Sequence, residues 1–217
     1  MDSLLRFDSF LTLLINGAHS PFFDQVFFNI SEKWMWIPLY VAILFVFFRK
    51  EGKQAWWFFL SLIIVVLLSD QISSSLLKPL VERFRPSHDP LLLSQIHLVK
   101  AYTGGLYGFA SSHAANTAGM ALFLSLLFKN RIVSACLAFW VLMTAYSRVY
   151  LGVHFVGDVV CGALIGMASA YAIYSAFQKI NQRYVFRSKH IIYSSKDILP
   201  IVLIITLTFV FVVMKQI

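Results

Sequence analysis

Cysteine and charged residues are scarce in this sequence of 217 residues. The two cysteines, Cys136 and Cys161, both lie in apolar stretches, so they indicate neither a disulfide framework nor a metal cluster. Only 13% of the residues are charged, and no carboxylate-rich set of the kind that binds magnesium is evident. Internal repeats, low-complexity tracts and long linkers are also missing from the sequence, so we expect one domain over residues 1–217.

Apolar residues dominate instead. They make up 59% of the chain, and the mean hydropathy of +0.75 is typical of a polytopic membrane protein. A spanning helix needs about 20 apolar residues, whereas a membrane strand is shorter and alternates, so we expect an all-α membrane bundle of about six helices. The first span is short, so we expect its helix to begin before Lys33. The predicted spans are residues 34–48, 54–77, 109–128, 132–147, 154–178 and 198–214.

Residues 3–16 have a different pattern, in which leucine, isoleucine and phenylalanine alternate with charged and hydroxyl residues. This spacing predicts an amphipathic helix that lies in the membrane interface. It is too short and too charged to be a convincing span. We expect breaks after it at Asn16-Gly17 and at Ser20-Pro21.

The formal net charge of +8 would suit a nucleic-acid partner, but the basic residues lie in short loops between apolar stretches. We therefore expect no nucleic-acid partner and read the charge as a signal of membrane orientation. The loops after the first, third and fifth spans are predicted to be cytoplasmic, so the loops that carry the polar motifs lie on the outer side. The basic residues of the predicted cytoplasmic loops are Arg49, Lys50, Lys53, Lys129, Arg131, Lys179, Arg183, Arg187, Lys189 and Lys196.

Three ionisable residues, Arg148, His154 and Asp158, stand where the fourth span meets the fifth. Ionisable groups near a bilayer are costly and usually functional. His154 and Asp158 are four residues apart, so on a helix a carboxylate would hold the imidazole in one tautomer. The free ring nitrogen could then act as a nucleophile, and Arg148 could hold an oxyanion. The alternative is a structural network that ties helices together.

Lys78 and Arg85 are seven residues apart at the outer end of the second span. On a continuous helix they would point the same way, and we expect Pro86 to end that helix. Two cations on one face suit a phosphate group. A basic flank beside lipid head groups explains them equally well.

Ser111, Ser112 and His113 open the third span, also on the outer side. A helix N-terminus offers free N–H groups and the positive end of a dipole, both suited to an anion. His113 could protonate a leaving oxygen. The alternative is a helix cap followed by a core histidine. Three polar groups on one side of the membrane favour a shared site over three separate structural roles.

These groups resemble the three-part signature of the type 2 phosphatidic acid phosphatase superfamily. The matching patterns are Lys-x6-Arg-Pro, Ser-x-His and Ser-Arg-x5-His-x3-Asp, over residues 78–158. One position departs, because the family usually has Pro-Ser-Gly-His where this chain has Ala110-Ser111-Ser112-His113. If the family glycine has a backbone angle that only glycine adopts, Ser112 alters the anion site.

The resemblance implies a metal-independent lipid phosphatase without a cofactor. His154 would attack phosphorus and form phosphohistidine, Asp158 would orient it, and His113 would protonate the leaving group. The implied substrates are lipid A, undecaprenyl pyrophosphate, phosphatidylglycerol phosphate or phosphatidic acid, at the periplasmic face of a bacterial inner membrane. The implied phosphate-binding residues are Lys78, Arg85, Ser111, Ser112 and Arg148.

Two other functions stay open at this point. His113 and His154 could be axial ligands of a haem in a membrane electron carrier. A protein that binds or transports a lipid phosphate without hydrolysing it is the other alternative, which the change at Ser112 makes conceivable.

Several polar residues match no part of the signature. We expect Asp70, inside the second span, to make a buried contact with Ser73 or Ser74. Arg83 and Lys100 could touch a second phosphate or a sugar head group, although solvated charges are the simpler interpretation.

The outer loops hold histidines and one apolar segment. We expect His19, His88 and His97 to be solvated surface residues. Residues 91–99 are apolar enough to rest in the membrane, either guiding a lipid or serving as a simple anchor.

Overall fold

The computed structural model describes residues 2–180 and 193–216, and within these ranges the chain forms nine α-helices. A π-helical segment, Gln71–Leu77, joins the fourth helix to the fifth. The helices are α1 (Asp2–Gly17), α2 (Pro21–Ser31), α3 (Ile37–Glu51), α4 (Ala55–Asp70), α5 (Lys78–Val81), α6 (Ser112–Phe128), α7 (Arg131–Tyr150), α8 (Val156–Ile180) and α9 (Ser195–Met214).

The all-α architecture is confirmed, and each of the six predicted spans coincides with helix. Four helical segments of the described chain are long and apolar enough to cross a membrane, and α6 is a shorter apolar helix of 17 residues. The longest segment, Lys33–Val81, contains α3, α4 and α5. Its first two helices pack against each other as a hairpin, with the rings of Phe47 and Phe58 5.3 Å apart.

Helix α2 was missed, and the start of the first span was wrong. The predicted break after α1 is present, since α1 ends at Gly17 and residues 18–20 are not helical. A new helix follows the break: Ser20 caps α2 by accepting a hydrogen bond from the N–H of Phe23, and Pro21 is the first helical residue. The next helix begins at Ile37, after a 3₁₀ turn, rather than before Lys33.

Helix α6 contacts α4, α7 and α8, and small residues bring it very close to α8. A Cβ atom added at Gly166 of α8 would lie 1.9 Å from the carbonyl oxygen of Ala115. Glycines spaced four apart, here Gly162 and Gly166, permit such close approach of membrane helices. This contact fixes the N-terminal turn of α6 beside that of α8.

Helix α1 is present as predicted, but it presents its polar face to the protein. Thr12 and Asn16 are buried, whereas Leu4, Phe10 and Leu14 are exposed. The outward apolar face suits lipid contact, because no other part of the described chain covers it. Its position at the membrane interface stays a prediction.

The apolar loop at residues 91–99 lies partly within the protein. Leu92 and Ile96 are buried against Phe155, and Val99 is buried in a separate core cluster. The expectation that the loop rests in the membrane is therefore wrong for these three residues. Leu91 and Leu93 remain exposed.

The sidedness of the bundle stays a prediction. It rests on the basic loops, and three of the basic residues counted, Arg183, Arg187 and Lys189, lie outside the described residues.

We expect Gly166→Val to destabilise the protein, because the added side chain would meet the backbone of α6. Overpacking of this kind typically costs about 1–3 kcal/mol. The measurement is the thermal midpoint in detergent, with Gly105→Ala as the control, since nothing lies within 4 Å of a Cβ atom there. Equal midpoints for the two variants would show that the helices separate without cost.

Candidate active site

His154 lies in the tight turn between α7 and α8 and is 1% exposed. Its Nε2 atom is 3.0 Å from Nη1 of Arg85, and its Nδ1 atom is 3.5 Å from Oδ2 of Asp158. A guanidinium group can only donate, so Nε2 carries the lone pair and Nδ1 carries the proton. The predicted pair of His154 and Asp158 is therefore within contact distance, and the electron pair of Nε2 accepts from Arg85.

The turn depends on Gly152, whose φ of +69° places it in the left-handed region. A Cβ atom there would lie 2.4 Å from Cγ2 of Ile96, so the loop before α6 closes over the turn. The N–H of Val153 donates to the carbonyl oxygen of Arg148 at 3.2 Å.

Asp158 is fully buried in the first turn of α8. Its Oδ2 atom accepts from the N–H of Phe155 at 3.0 Å, and its Oδ1 atom accepts from Nη1 of Arg83 at 3.0 Å. Its backbone carbonyl accepts from the N–H of Ser111 at 2.9 Å, which joins the second predicted group to the third. The solvated interpretation of Arg83 is wrong.

Arg85 reaches the site from an extended segment rather than from a helix. Helix α5 ends at Val81, and Glu82 has a left-handed φ of 49°, so the expectation that Pro86 ends the helix is wrong. Arg85 donates to the carbonyl oxygens of Tyr107 and Val153 at 3.1 and 2.9 Å.

Arg85 nevertheless keeps its charge. Burial, followed by the nearby charge of Arg148, lowers the pKa of Arg85 to about 10, so it remains a cation at neutral pH.

Lys78 joins the second span to the start of α6. Its Nζ atom donates to Ser74 Oγ at 3.3 Å and to Ser112 Oγ at 3.4 Å. Ser112 has a helical backbone, so this position does not require a glycine-only angle. Ser111 is the N-cap of α6, where its hydroxyl accepts from the N–H of Ala114.

Arg148, in the last turn of α7, is 2% exposed. Its Nη1 atom donates to Ser31 Oγ and its Nη2 atom donates to Tyr102 Oη at 3.2 Å. Sequence reasoning missed both partners, because they lie 117 and 46 residues away along the chain and belong to no local pattern.

Burial and the nearby charges of the site together determine the protonation state of His154. Burial lowers the pKa of His154 well below its usual 6.5, and the charges of Arg85 and Arg148 lower it further. Smaller contributions to that pKa come from Lys78 and His113, which places all three predicted groups within electrostatic reach of one imidazole. His154 is therefore neutral near pH 7, as a nucleophile must be.

A cavity of about 430 Å³ adjoins Ser112 and His113. Its walls come from α3, α4 and α6, and two lining residues, Ile63 and Leu67, are also exposed on the outside of the bundle. Among the described residues, no group of three or more His, Cys, Asp or Glu side chains is arranged to hold a metal ion. The other apolar lining residues are Tyr40, Ile43, Leu44, Phe59, Leu62, Val66 and Met120.

Asp70 lines the same cavity, and its predicted contact is confirmed for Ser74. The hydroxyl of Ser74 donates to Asp70 Oδ1 at 3.3 Å, and Asn116 Nδ2 donates to the same oxygen at 3.4 Å. The hydroxyl of Ser73 donates to the backbone carbonyl oxygens of Ser69 at 2.7 Å and of Asp70 at 3.4 Å.

Away from the site, the solvated interpretation of His97 is wrong. Its Nε2 atom lies 2.9 Å from Oδ2 of Asp24, and its ring stacks on that of His19 at 3.8 Å. Lys100 is exposed, with its Nζ atom 4.3 Å from the ring centroid of Phe28.

A family model described as the PAP2 superfamily matches residues 54–182, which include all three groups. The chain belongs to the PAP2 superfamily. It is 35% identical over 186 residues to a protein of Porphyromonas gingivalis named lipid A 4'-phosphatase, covering 85% of this chain and 79% of that relative.

Two crystal structures have similar folds. LpxE of Aquifex aeolicus is 27% identical with a TM-score of 0.60, covering 76% of this chain and 93% of that one. A transmembrane PAP2-type phosphatidylglycerolphosphate phosphatase of Bacillus subtilis is 22% identical with a TM-score of 0.65, covering 85% and 90%. The latter likeness supports the fold alone.

These findings confirm the predicted reaction class, a membrane lipid phosphatase of the PAP2 type. They favour it over the haem-carrier interpretation of His113 and His154. They also agree with an integral membrane protein built from apolar helices.

We expect His154 to stay neutral when the pH of the substrate-free protein falls from about 8 to about 5.5, because its pKa lies well below 6.5. The measurement is NMR of protein carrying ¹⁵N-labelled histidine, with the His154 signals assigned by their loss in His154→Ala. Protonation of His154 between pH 6 and 7 would contradict the described burial and charge.

Proposed function

We propose that this enzyme removes a phosphate group from a lipid A-type phosphorylated glycolipid, at the periplasmic face of a bacterial inner membrane. The observation that carries the proposal is the buried imidazole of His154, held between Asp158 and Arg85. A cavity with largely apolar walls adjoins Ser112 and His113 of the same site. The name of the Porphyromonas gingivalis relative supports the choice of lipid.

In the first step the phosphate oxygens accept hydrogen bonds from Arg85, Arg148 and Lys78. In the substrate-free protein, Nη1 of Arg85 lies 3.0 Å from Nε2 of His154. When a phosphate oxygen accepts from Arg85 in place of Nε2, that hydrogen bond breaks and the Nε2 electron pair faces the phosphorus. The Nε2 electron pair attacks phosphorus, the bond from phosphorus to the lipid oxygen breaks, and a phosphohistidine forms. Asp158 stabilises the positive imidazole that results.

His113 lines the cavity next to Ser112. The charges of Arg148, Lys33, Arg85 and Lys78 act on it in the substrate-free protein, so it takes up a proton when the phosphate anion is bound and then passes that proton to the leaving lipid oxygen. It then takes a proton from a water molecule that attacks phosphorus. The bond from phosphorus to nitrogen breaks, and inorganic phosphate is released. The free N–H groups at the start of α6, at Ser112 and His113, face the anion together with the Ser111 hydroxyl.

The lipid chains occupy the cavity between α3, α4 and α6. Its lining is largely apolar and reaches the outside of the bundle at Ile63 and Leu67. A lipid anchored there keeps its phosphate at the end of the cavity where Ser112 and His113 lie.

We expect the purified protein to release phosphate from lipid A in the presence of EDTA, and His154→Ala to lose at least ~10³-fold in rate, since it removes the attacking atom. His19→Ala is the matched control, because His19 is an exposed histidine outside the site. Undecaprenyl pyrophosphate, phosphatidylglycerol phosphate and phosphatidic acid complete the substrate panel.

A faster rate on one of those three lipids would indicate that this lipid, rather than lipid A, is the preferred substrate. Full activity of His154→Ala would show that His154 is not the nucleophile. Loss of activity with EDTA would contradict the metal-independent reaction. Tight vanadate binding without phosphate release from any lipid would indicate a binding protein instead.

We expect a cysteine at position 91 to react with a membrane-impermeant thiol reagent in intact cells, and a cysteine at position 53 to react only after permeabilisation. Both parent residues, Leu91 and Lys53, are exposed and lie in loops predicted to be on opposite sides of the membrane. The variants are Leu91→Cys and Lys53→Cys in a background where Cys136 and Cys161 are replaced by alanine. The reverse labelling would place the site in the cytoplasm.

A further inference from the structure

Arg83 joins helix α1 to the carboxylate that faces His154. Its Nη2 atom donates to Asp8 Oδ2 at 2.8 Å, and its Nη1 atom donates to Asp158 Oδ1 at 3.0 Å. Its guanidinium carbon lies 3.8 Å from the ring centroid of Phe155, next to the catalytic histidine. The planar guanidinium group of Arg83 therefore binds the carboxylates of Asp8 and Asp158, which are 150 residues apart in the sequence.

Asp8 also holds the start of α8 directly. Its Oδ1 atom accepts from the N–H of Gly157 at 2.8 Å. One turn further along α1, the Thr12 hydroxyl accepts from the N–H of Val156 at 3.3 Å. These two N–H groups belong to the first turn of α8, where no intrahelical acceptor exists for them.

The physical need for such a pair follows from burial. Asp158 is 0% exposed, and a carboxylate without charged partners would favour its neutral form there. The charge on Arg83 favours the ionised form, which can accept from His154 and stabilise an imidazolium. Arg83 is 19% exposed and its partner Asp8 is 12% exposed, so solvent screens this pair only in part.

We propose that Asp8 and Arg83 are positioning residues for phosphoryl transfer, which act through Asp158 on His154. This inference rests on the proposed function. It makes α1 a structural component of the site rather than only a membrane anchor. Because neither residue is among those proposed to hold the phosphate, their loss slows the chemical step while substrate binding stays nearly unchanged.

We expect Arg83→Gln to lower kcat about 10- to 100-fold, as is usual when a partner of a functional group is removed, with KM changed less than about 2-fold. Asp8→Asn lowers kcat in the same direction by a smaller factor, since Arg83 still reaches Asp158. Arg83→Lys, which keeps the charge, recovers part of the loss. Arg6→Gln is the control, for which we expect the parental kcat, because Arg6 is exposed on α1, the helix that carries Asp8.

The decisive measurement repeats Arg83→Gln in an Asp158→Asn background. If Arg83 acts through Asp158, the second substitution costs less than about 2-fold there, whereas independent effects would multiply. A thermal midpoint for each variant shows that it is folded. If Arg83→Gln does not fold, Asp8→Asn in the two backgrounds provides the same comparison.

Three results would overturn the inference: parental kcat in Arg83→Gln, an equal loss in both backgrounds, or a loss confined to KM. A parent protein that releases no phosphate from any lipid would overturn the proposed function and this inference together. An active parent with an unaffected Arg83→Gln variant would overturn the inference alone.

Discussion

The ionised carboxylate of Asp158, fully buried in the first turn of α8, is the group on which the site depends. Its side-chain oxygens accept from Arg83 and from the N–H of Phe155, and they face the imidazole of His154. Its main-chain oxygen anchors Ser111. Three separate segments of the chain, at Arg83, at Ser111 and at residues 154–158, thus meet at one aspartate. A charge in that position is stable only when each of these partners is in place.

The cations around His154 add a second constraint. Arg85 and Arg148 are both nearly buried, and each lowers the pKa of His154. Like charges held together in a poorly hydrated site repel one another, and the fold has to oppose that repulsion. An anion with two or more negative oxygens would relieve it. In the proposed reaction, the same arrangement that is costly in the substrate-free protein would therefore strengthen phosphate binding and stabilise the charge of the transition state.

Hydropathy was sufficient to locate the six apolar helical stretches, although not α2 or the start of the first span. Residue spacing singled out His154, Asp158 and Arg148 as a group, because hydropathy and spacing are both local properties of the chain. Arg83 was misjudged because its two partners are each 75 residues away, and nothing near it in the sequence marks them. The extended course of the chain at Arg85 was missed because a left-handed residue at Glu82, rather than a proline, ends the helix. The wrong predictions for Arg83 and for the chain at Arg85 thus have two causes: ion pairs between residues far apart in the sequence, and one left-handed backbone angle.

The cavity has two lining residues, Ile63 and Leu67, that are exposed on the outside of the bundle. Under the proposed function this exposure would affect how the enzyme meets its substrate. A lipid that arrives past these two residues moves sideways within its leaflet and never leaves the hydrocarbon layer, so it avoids the cost of exposing acyl chains to water. The relevant substrate concentration is then the mole fraction of the lipid in the leaflet. Dilution with inert lipid would slow turnover even at constant bulk concentration, and encounter would be governed by two-dimensional diffusion.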